Sequence, residues 1–243
     1  MSGSTKGCYV VSLVILISAW KIASVILANP ALPPPESVAI AMIKNAQILT
    51  GHAIVSLARV LYSMALALSL AFPLGIASRE KTFDRLFAPF IYLLYPIPHI
   101  VLLPLYILLF GIGDLSKVAL IATILFFQMV VTTRDAAKNI SEYYVYSILS
   151  LGASKFDVYR HVIIPAVMPR VLTALRISVG TAIAVLFFAE SFATRRGLGY
   201  LIMDAWSRAD YELLYAGISA MALMGLSLYV VIDIIERRLC RWL

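Results

Sequence analysis

Tyr146-Ser-Ile-Leu-Ser-Leu-Gly152-Ala-Ser-Lys-Phe-Asp-Val-Tyr-Arg-His-Val162-Ile-Ile164-Pro165 lies at the centre of one long polar island, Thr132 to Arg170, in a chain that is otherwise hydrocarbon-seeking. A run holding Arg134, Lys138, Lys155 and Arg160 belongs in water at one membrane face. Its local chemistry predicts two short helices. Ser141 to Leu151 sets Tyr144, Ile148 and Leu151 on one face, and Gly152 supplies a stop that tolerates positive φ. Ser154 with Asp157 three residues on makes a capping-box start, and the second helix is expected to end at Pro165. Such a protrusion suits insertion into a partner's groove.

Hydrophobic residues make up 62% of the chain and charged residues 14%, against roughly a quarter charged in soluble domains. This is the composition of an all-α polytopic membrane protein. Its 243 residues hold about six spans of ~20 residues in one membrane domain, residues 1–243. Apolar runs place the spans at Tyr9 to Leu27, Ala53 to Ala77, Leu86 to Phe110, Val118 to Val131, Val171 to Ala189 and Leu213 to Ile235. The fourth is short, with room to extend at either end. The first is expected to be a retained helix, because no small-x-small cleavage site precedes Asn29-Pro30 and Lys21 interrupts its core. After it, Ala31-Leu-Pro-Pro-Pro-Glu forms a stiff turn, and Val38 to Leu49 reads as a weakly amphipathic helix at the outer interface.

An N-terminus inside assigns twelve Lys and Arg to the cytoplasm, including Arg79, Arg134, Lys138, Lys155 and Arg170, against Lys44, Lys117, Arg195, Arg196 and Arg208 outside. The expectation is both termini, and the polar island, on the cytoplasmic side of the cell membrane. The net charge of +7 is then loop charge, and no basic patch interleaved with aromatics speaks for nucleic acid. Cys8 and Cys240 form no CxxC or Cys/His cluster, so no metal site is expected. Trp20, Trp206 and Trp242 near helix ends read as interfacial anchors.

The island resembles the cytoplasmic loop of binding-protein-dependent ABC transporter permeases. Gly152, Val162, Ile164 and Pro165 stand at that family's spacing, while Tyr146-Ser147-Ile148 replaces its Glu-Ala-Ala. Leu151-Gly-Ala-Ser, Tyr95-Pro-Ile-Pro-His, Phe110-Gly-Ile-Gly and Gly197-Leu-Gly-Tyr-Leu-Ile are similar to the nitrate/sulfonate/taurine branch, which implies a path for a small nitrate-, sulfonate- or taurine-like solute or a pyrimidine- or vitamin-precursor-like one. The resemblance implies a type I ABC importer permease fold with a coupling-helix loop, residues 132–170. In it Tyr146, Leu151, Gly152, Ala153, Ser154, Val162, Ile164 and Pro165 would touch an ATPase. It implies as partners two cytoplasmic ATPase subunits holding ATP and Mg, a second permease subunit, identical to this one, and an external binding protein, all around a lipid-embedded core. The chain itself carries no Gly-x-x-x-x-Gly-Lys-Ser/Thr loop, Gly111-Ile-Gly-Asp-Leu-Ser-Lys having the wrong spacing, and so is not expected to be an ATPase or to bind a cofactor. Without inverted repeats or paired ion sites, an ATP-independent carrier or channel is the weaker alternative. Isolated His52, His99 and His161 do not make an enzyme site.

Candidate path residues are Pro96, Pro98, His99, Arg176 and Glu190. The prolines free backbone carbonyls in the third span, and ionisable groups at membrane depth need partners or a polar path. Each has a plainer reading: the prolines shape packing, His99 satisfies a helix carbonyl, Arg176 snorkels or pairs with a carboxylate, and Glu190 reaches water. Arg59 is expected to snorkel. Ala174, Ser178, Ala182, Gly217, Ala220 and Gly225 suit close helix packing. Thr194-Arg-Arg-Gly-Leu-Gly-Tyr is a candidate gate or contact for the binding protein, its plainer reading a solvated loop with a Gly turn.

Overall fold

The computed structural model describes residues 3–241 and, among these, helices joined by short loops. In chain order they are α1 (Gly3–Leu27), α2 (Pro35–Lys44), α3 (Ala46–Ala77), α4 (Lys81–Leu94), a 3₁₀ turn (His99–Leu102), α5 (Leu103–Phe110), α6 (Asp114–Lys138), α7 (Glu142–Leu149), α8 (Lys155–Val158), a π turn (Tyr159–Ile163), α9 (Ile164–Ser191), α10 (Leu198–Ser207) and α11 (Tyr211–Leu239).

The helix extending from α8 through α9 joins α3, α6 and α11 as four segments long and apolar enough to cross a bilayer. The broken pair α4–α5 makes a fifth, and α1 offers a shorter apolar stretch, Val11–Leu27. Five of the six expected spans thus reappear with different bounds, and the first is a shorter apolar stretch than expected. The second starts at Ala46, and the fourth gains length at both ends. Lys117, expected in an outer loop, is fully buried in the first turn of α6, where its ammonium donates to the carbonyls of Gly113 and Ala193. The interfacial helix is two helices, because Asn45 ends α2 with its own N–H on the Ala41 carbonyl before α3 begins.

The third span, in which the prolines are expected to free backbone carbonyls, is broken and bent by 79°. Pro96 and Pro98 each lack an N–H and clash with the turn before them, so helix cannot pass through Tyr95–Pro98. Although broken, the segment still changes ends. Arg79, just before α4, bonds Glu142 at the start of α7, while Asp114, just after α5, bonds Arg59 on α3. Those two levels on α3 are 18 or more residues apart, about 27 Å of helix.

α6 is the central rod, packed on α3 on one side and α9 on the other. Leu120, Ile121, Leu125, Met129 and Val130 are its buried face. Gly75 lets α3 come close, since a Cβ there would stand 2.5 Å from Cβ of Thr133. In a bilayer this closeness matters because dispersion contacts, not water exclusion, hold helices together. The small residues of α9 and α11 serve the same end: Gly217 lies against Ile202 and Gly225 against Ile183. α10 and α2 cover α11, and α1 is the most loosely held. Trp20 donates to the Pro33 carbonyl (3.1 Å) and stacks on Tyr215, Lys21 pairs with Glu36, and most of the remaining α1 surface is exposed. Trp206 is exposed, and Trp242 lies outside the described residues.

Candidate functional site

The polar island divides between bundle and protrusion. Thr132 to Lys138 completes α6, and Arg134, expected in water, is only 8% exposed. Its guanidinium donates to both Asp84 oxygens (2.6 and 3.0 Å) and packs over the Tyr92 ring, tying α6 to α4.

The protrusion proper is α7, a tight turn and α8. Ser141 caps α7 by accepting from the Tyr143 N–H. Gly152 sits at φ +85°, a left-handed conformation that costs other L-residues about 1 kcal/mol or more, and the turn closes with the Ala153 N–H on the Ile148 carbonyl. Ser154 and Asp157 form the full reciprocal capping box. The expected shared face of Tyr144, Ile148 and Leu151 is split. Val145 is the buried residue and Ile148 packs on the core, whereas Tyr144 and Leu151 point away, Leu151 at 85% exposure. Tyr143, Tyr146 and Phe156 are exposed with them. Arg79–Glu142 (2.8 Å) and the Tyr159 hydroxyl on Glu80 (3.2 Å) moor the hairpin to the α3–α4 turn.

Pro165 does not end the second helix. It occupies the first turn of α9, and the π turn before it widens the backbone, which is how the chain passes a proline and enters the span without breaking. Val162 is half-buried and Ile164 packs against the core, so of the residues singled out by spacing these three belong to the root of the hairpin, and Tyr146, Leu151 and Gly152 to its tip.

At the opposite end, Glu190 is 0% and Arg59 4% exposed, so neither reaches water nor snorkels. Arg59 Nη1 donates to Glu190 (2.7 Å) and to the Arg196 carbonyl (2.9 Å), and its Nε donates to Asp114 (2.8 Å). Glu190 also accepts from Ser56 (2.8 Å) and from the Gly199 N–H (2.8 Å). Ser56 in turn accepts from the Leu198 N–H, and His52 Nδ1 from the Gly197 N–H. Gly197 is at φ +115°, and any Cβ there would overlap the Glu190 carboxyl. The Gly197-Leu-Gly segment is therefore a clamped structural element, not a solvated loop, while Arg195 and Arg196 remain exposed on it.

The remaining path candidates do not converge. Pro96 and Pro98 are exposed at the break, and His99 stacks on Phe127 (4.7 Å). Arg176 pairs with Asp233 and lies 3.4 Å from Glu236, joining α9 to α11. None of the five lines the groove that does open between α6 and α9, about 560 Å³ in volume. Its polar lining comes from Tyr95, Gln128, Thr132, Arg170, Thr173, Ser178, Thr181 and Glu236. The signal for it was in the sequence: Gln128 and Thr132 are four residues apart in an apolar run, hence on one helix face.

A moored hairpin with an exposed tip, on a bundle with one broken span, is the geometry to compare with known proteins. The model of the family described as "Binding-protein-dependent transport system inner membrane component" matches residues 63–242. The chain belongs to that family. As such a permease it is 32% identical over 238 residues to the taurine transport system permease protein TauC of Escherichia coli (strain K12), covering 94% of this chain and 86% of the relative. It is 29% identical over 233 residues to the putative aliphatic sulfonates transport permease protein SsuC of Bacillus subtilis (strain 168), with 94% and 84% covered. Its fold is shared with a chain of the MetNI methionine ABC transporter in an inward-facing conformation, at TM-score 0.67 and 16% identity over 81% of this permease and 98% of that chain. The permease is thus an ABC importer membrane subunit of the binding-protein-dependent type, a multi-helix component of the inner membrane.

Proposed function

We propose that two copies of this permease form the path for a small organic solute of the sulfonate class, handed over by an external binding protein and driven inward by ATP hydrolysed, with Mg, on two partner subunits. Both termini and the α7–α8 hairpin then lie in the cytoplasm. The observation that carries this reading is the hairpin tip. Leu151, Tyr143, Tyr144 and Phe156 expose apolar surface at the end of a moored, capped element, which favours a protein groove over water. The substrate class follows the named activities of the taurine and aliphatic sulfonate relatives.

Closure of the ATPases would push the paired hairpins. Because α8 continues through the π turn into α9 without a break, that displacement passes directly into a span. The test is reconstitution with the ATPase and binding protein. Gly152→Pro, whose ring fixes φ near −65° where +85° is required, should leave the bundle folded and abolish stimulation of ATP hydrolysis by loaded binding protein. Solute flux through the purified permease alone would instead establish a carrier.

A further inference from the structure

We infer that the junction of the α7–α8 hairpin with the α3–α4 turn is a binding site for one aminophospholipid from the leaflet on that side. Lys81 and Lys155 hold its phosphate, Glu80 its ammonium, and an apolar slot one of its acyl chains. The site shares no lining residue with the α6–α9 groove and does not depend on the import reading.

Two cavities adjoin at this junction, with Glu80 and Tyr159 as their common rim. The first, about 520 Å³, is apolar: Phe72, Pro73, Ile76 and Ala77 from the last turns of α3 lie opposite Phe83 of α4 and Ile164 at the start of α9. Phe72 stands five residues before the end of that span, so the slot descends about 8 Å of helix toward the bilayer interior. The second cavity, about 350 Å³, is lined by residues beyond that end, Arg79, Lys81, Glu142 and Lys155, and by the hairpin's Val145 and Leu149. An apolar slot at the end of a span with a charged cavity outside it is the order in which a phospholipid presents its chain and its head.

Charge selects the headgroup. Arg79 is already occupied, its guanidinium donating to Glu142 (2.8 Å) and to the carbonyls of Ala137 and Ile140. Lys81 and Lys155 are exposed and make no ion pair among the described residues, while Glu80 accepts only the Tyr159 hydroxyl (3.2 Å). Two free ammonium groups and one free carboxylate around one cavity match a phosphate diester that carries a primary ammonium: its oxygens accept from the lysines and its N–H groups donate to Glu80. A headgroup without the ammonium leaves Glu80 beside a second anion, and a trimethylammonium offers it no N–H. Seated there, the lipid braces the hairpin at its root, beside the Tyr159–Glu80 bond.

Lipid that merely coats the bundle has no such headgroup preference, and native mass spectrometry of the full-length permease separates the two. The permease is taken from nanodiscs of phosphatidylethanolamine, phosphatidylglycerol and phosphatidylcholine in equal parts, with identical chains, and the lipid it retains in detergent is counted. Phosphatidylethanolamine should be retained about tenfold over either of the others, the worth of one charge-assisted hydrogen bond. Glu80→Gln, whose amide oxygen still accepts from Tyr159, should bring the ethanolamine and choline lipids level. Lys81→Gln with Lys155→Gln, both at exposed positions, should lower retention of all three. Glycerophosphoethanolamine, the same head without chains, should not displace the bound lipid. Equal retention of the three lipids, a preference for phosphatidylglycerol, or displacement by the chainless head would overturn the proposal. The lipid should also stay when partner ATPases bind, and its expulsion would give the pocket to that interface instead. Because the retention assay needs no ATPase or binding protein, its failure and the failure of the import reading are read separately.

Discussion

Glu190 shows what one carboxylate does when it is withdrawn from solvent. Its partners Arg59 and Ser56 on α3, up to 134 residues away, and Gly199 at the start of α10 together fix the segment that opens α10. Glu190→Gln keeps the shape and removes the charge, leaving Arg59 with Asp114 alone. A loss of about 3 kcal/mol is expected, the low end for breaking a buried pair because Asp114 still bonds Arg59, read as a lower thermal midpoint in detergent. Ser56→Ala should cost less, about 1–3 kcal/mol for the unpaired Leu198 N–H and the lost bond to Glu190. This cluster was invisible in the sequence beyond the presence of ionisable groups in apolar runs. Sequence spacing reports which residues share a helix face, not which faces meet across a bundle, so Arg59 reads as a snorkelling side chain until α6 and α9 are laid against it.

At the level of elements, what is locally encoded was legible. Gly152 and the Ser154–Asp157 capping box specify the hairpin through contacts five residues or fewer apart, and the apolar runs locate the spans to within a turn or two. What failed is equally physical. Pro165 signals a helix end only if the preceding turn is a regular α turn, and the π turn removes that premise. The tie between α1 and α2 gives a pH-dependent prediction. Lys21 donates to Glu36 and holds its carboxyl below the ordinary value of 4.5. A lowered folded-state value means the tie contributes above the ordinary carboxylate range and is lost as pH falls through the folded value. Pepsin cleavage between α1 and α2, relative to an unstructured control peptide, should therefore rise as pH falls below the ordinary carboxylate range, and Glu36→Gln should remove that pH dependence. Because both side chains are about half exposed, added salt should weaken the tie at neutral pH as well.

Across the whole molecule, α6 is anchored at both ends: by Asp114 to Arg59 near one face, and by Arg134 and Lys138 to Asp84 near the other. With α3 and α9 packed along its length, these three helices form a block that a push on the hairpin would move as one. Hydrogen exchange tests this. Amides of α6 from Leu120 to Val130 should exchange slowest, and those of His99 and Ile100, which open the uncapped 3₁₀ turn after the break, among the fastest of the α4–α5 segment. The break between α4 and α5 acquires its meaning from that contrast. A stiff frame spanning two faces, with a continuous strut tying its ends, cannot change length when tilted, so the chain needs a section that can. On the import reading the paired prolines would serve as that expansion joint: the two backbone hydrogen bonds they lack would not have to be broken at each stroke.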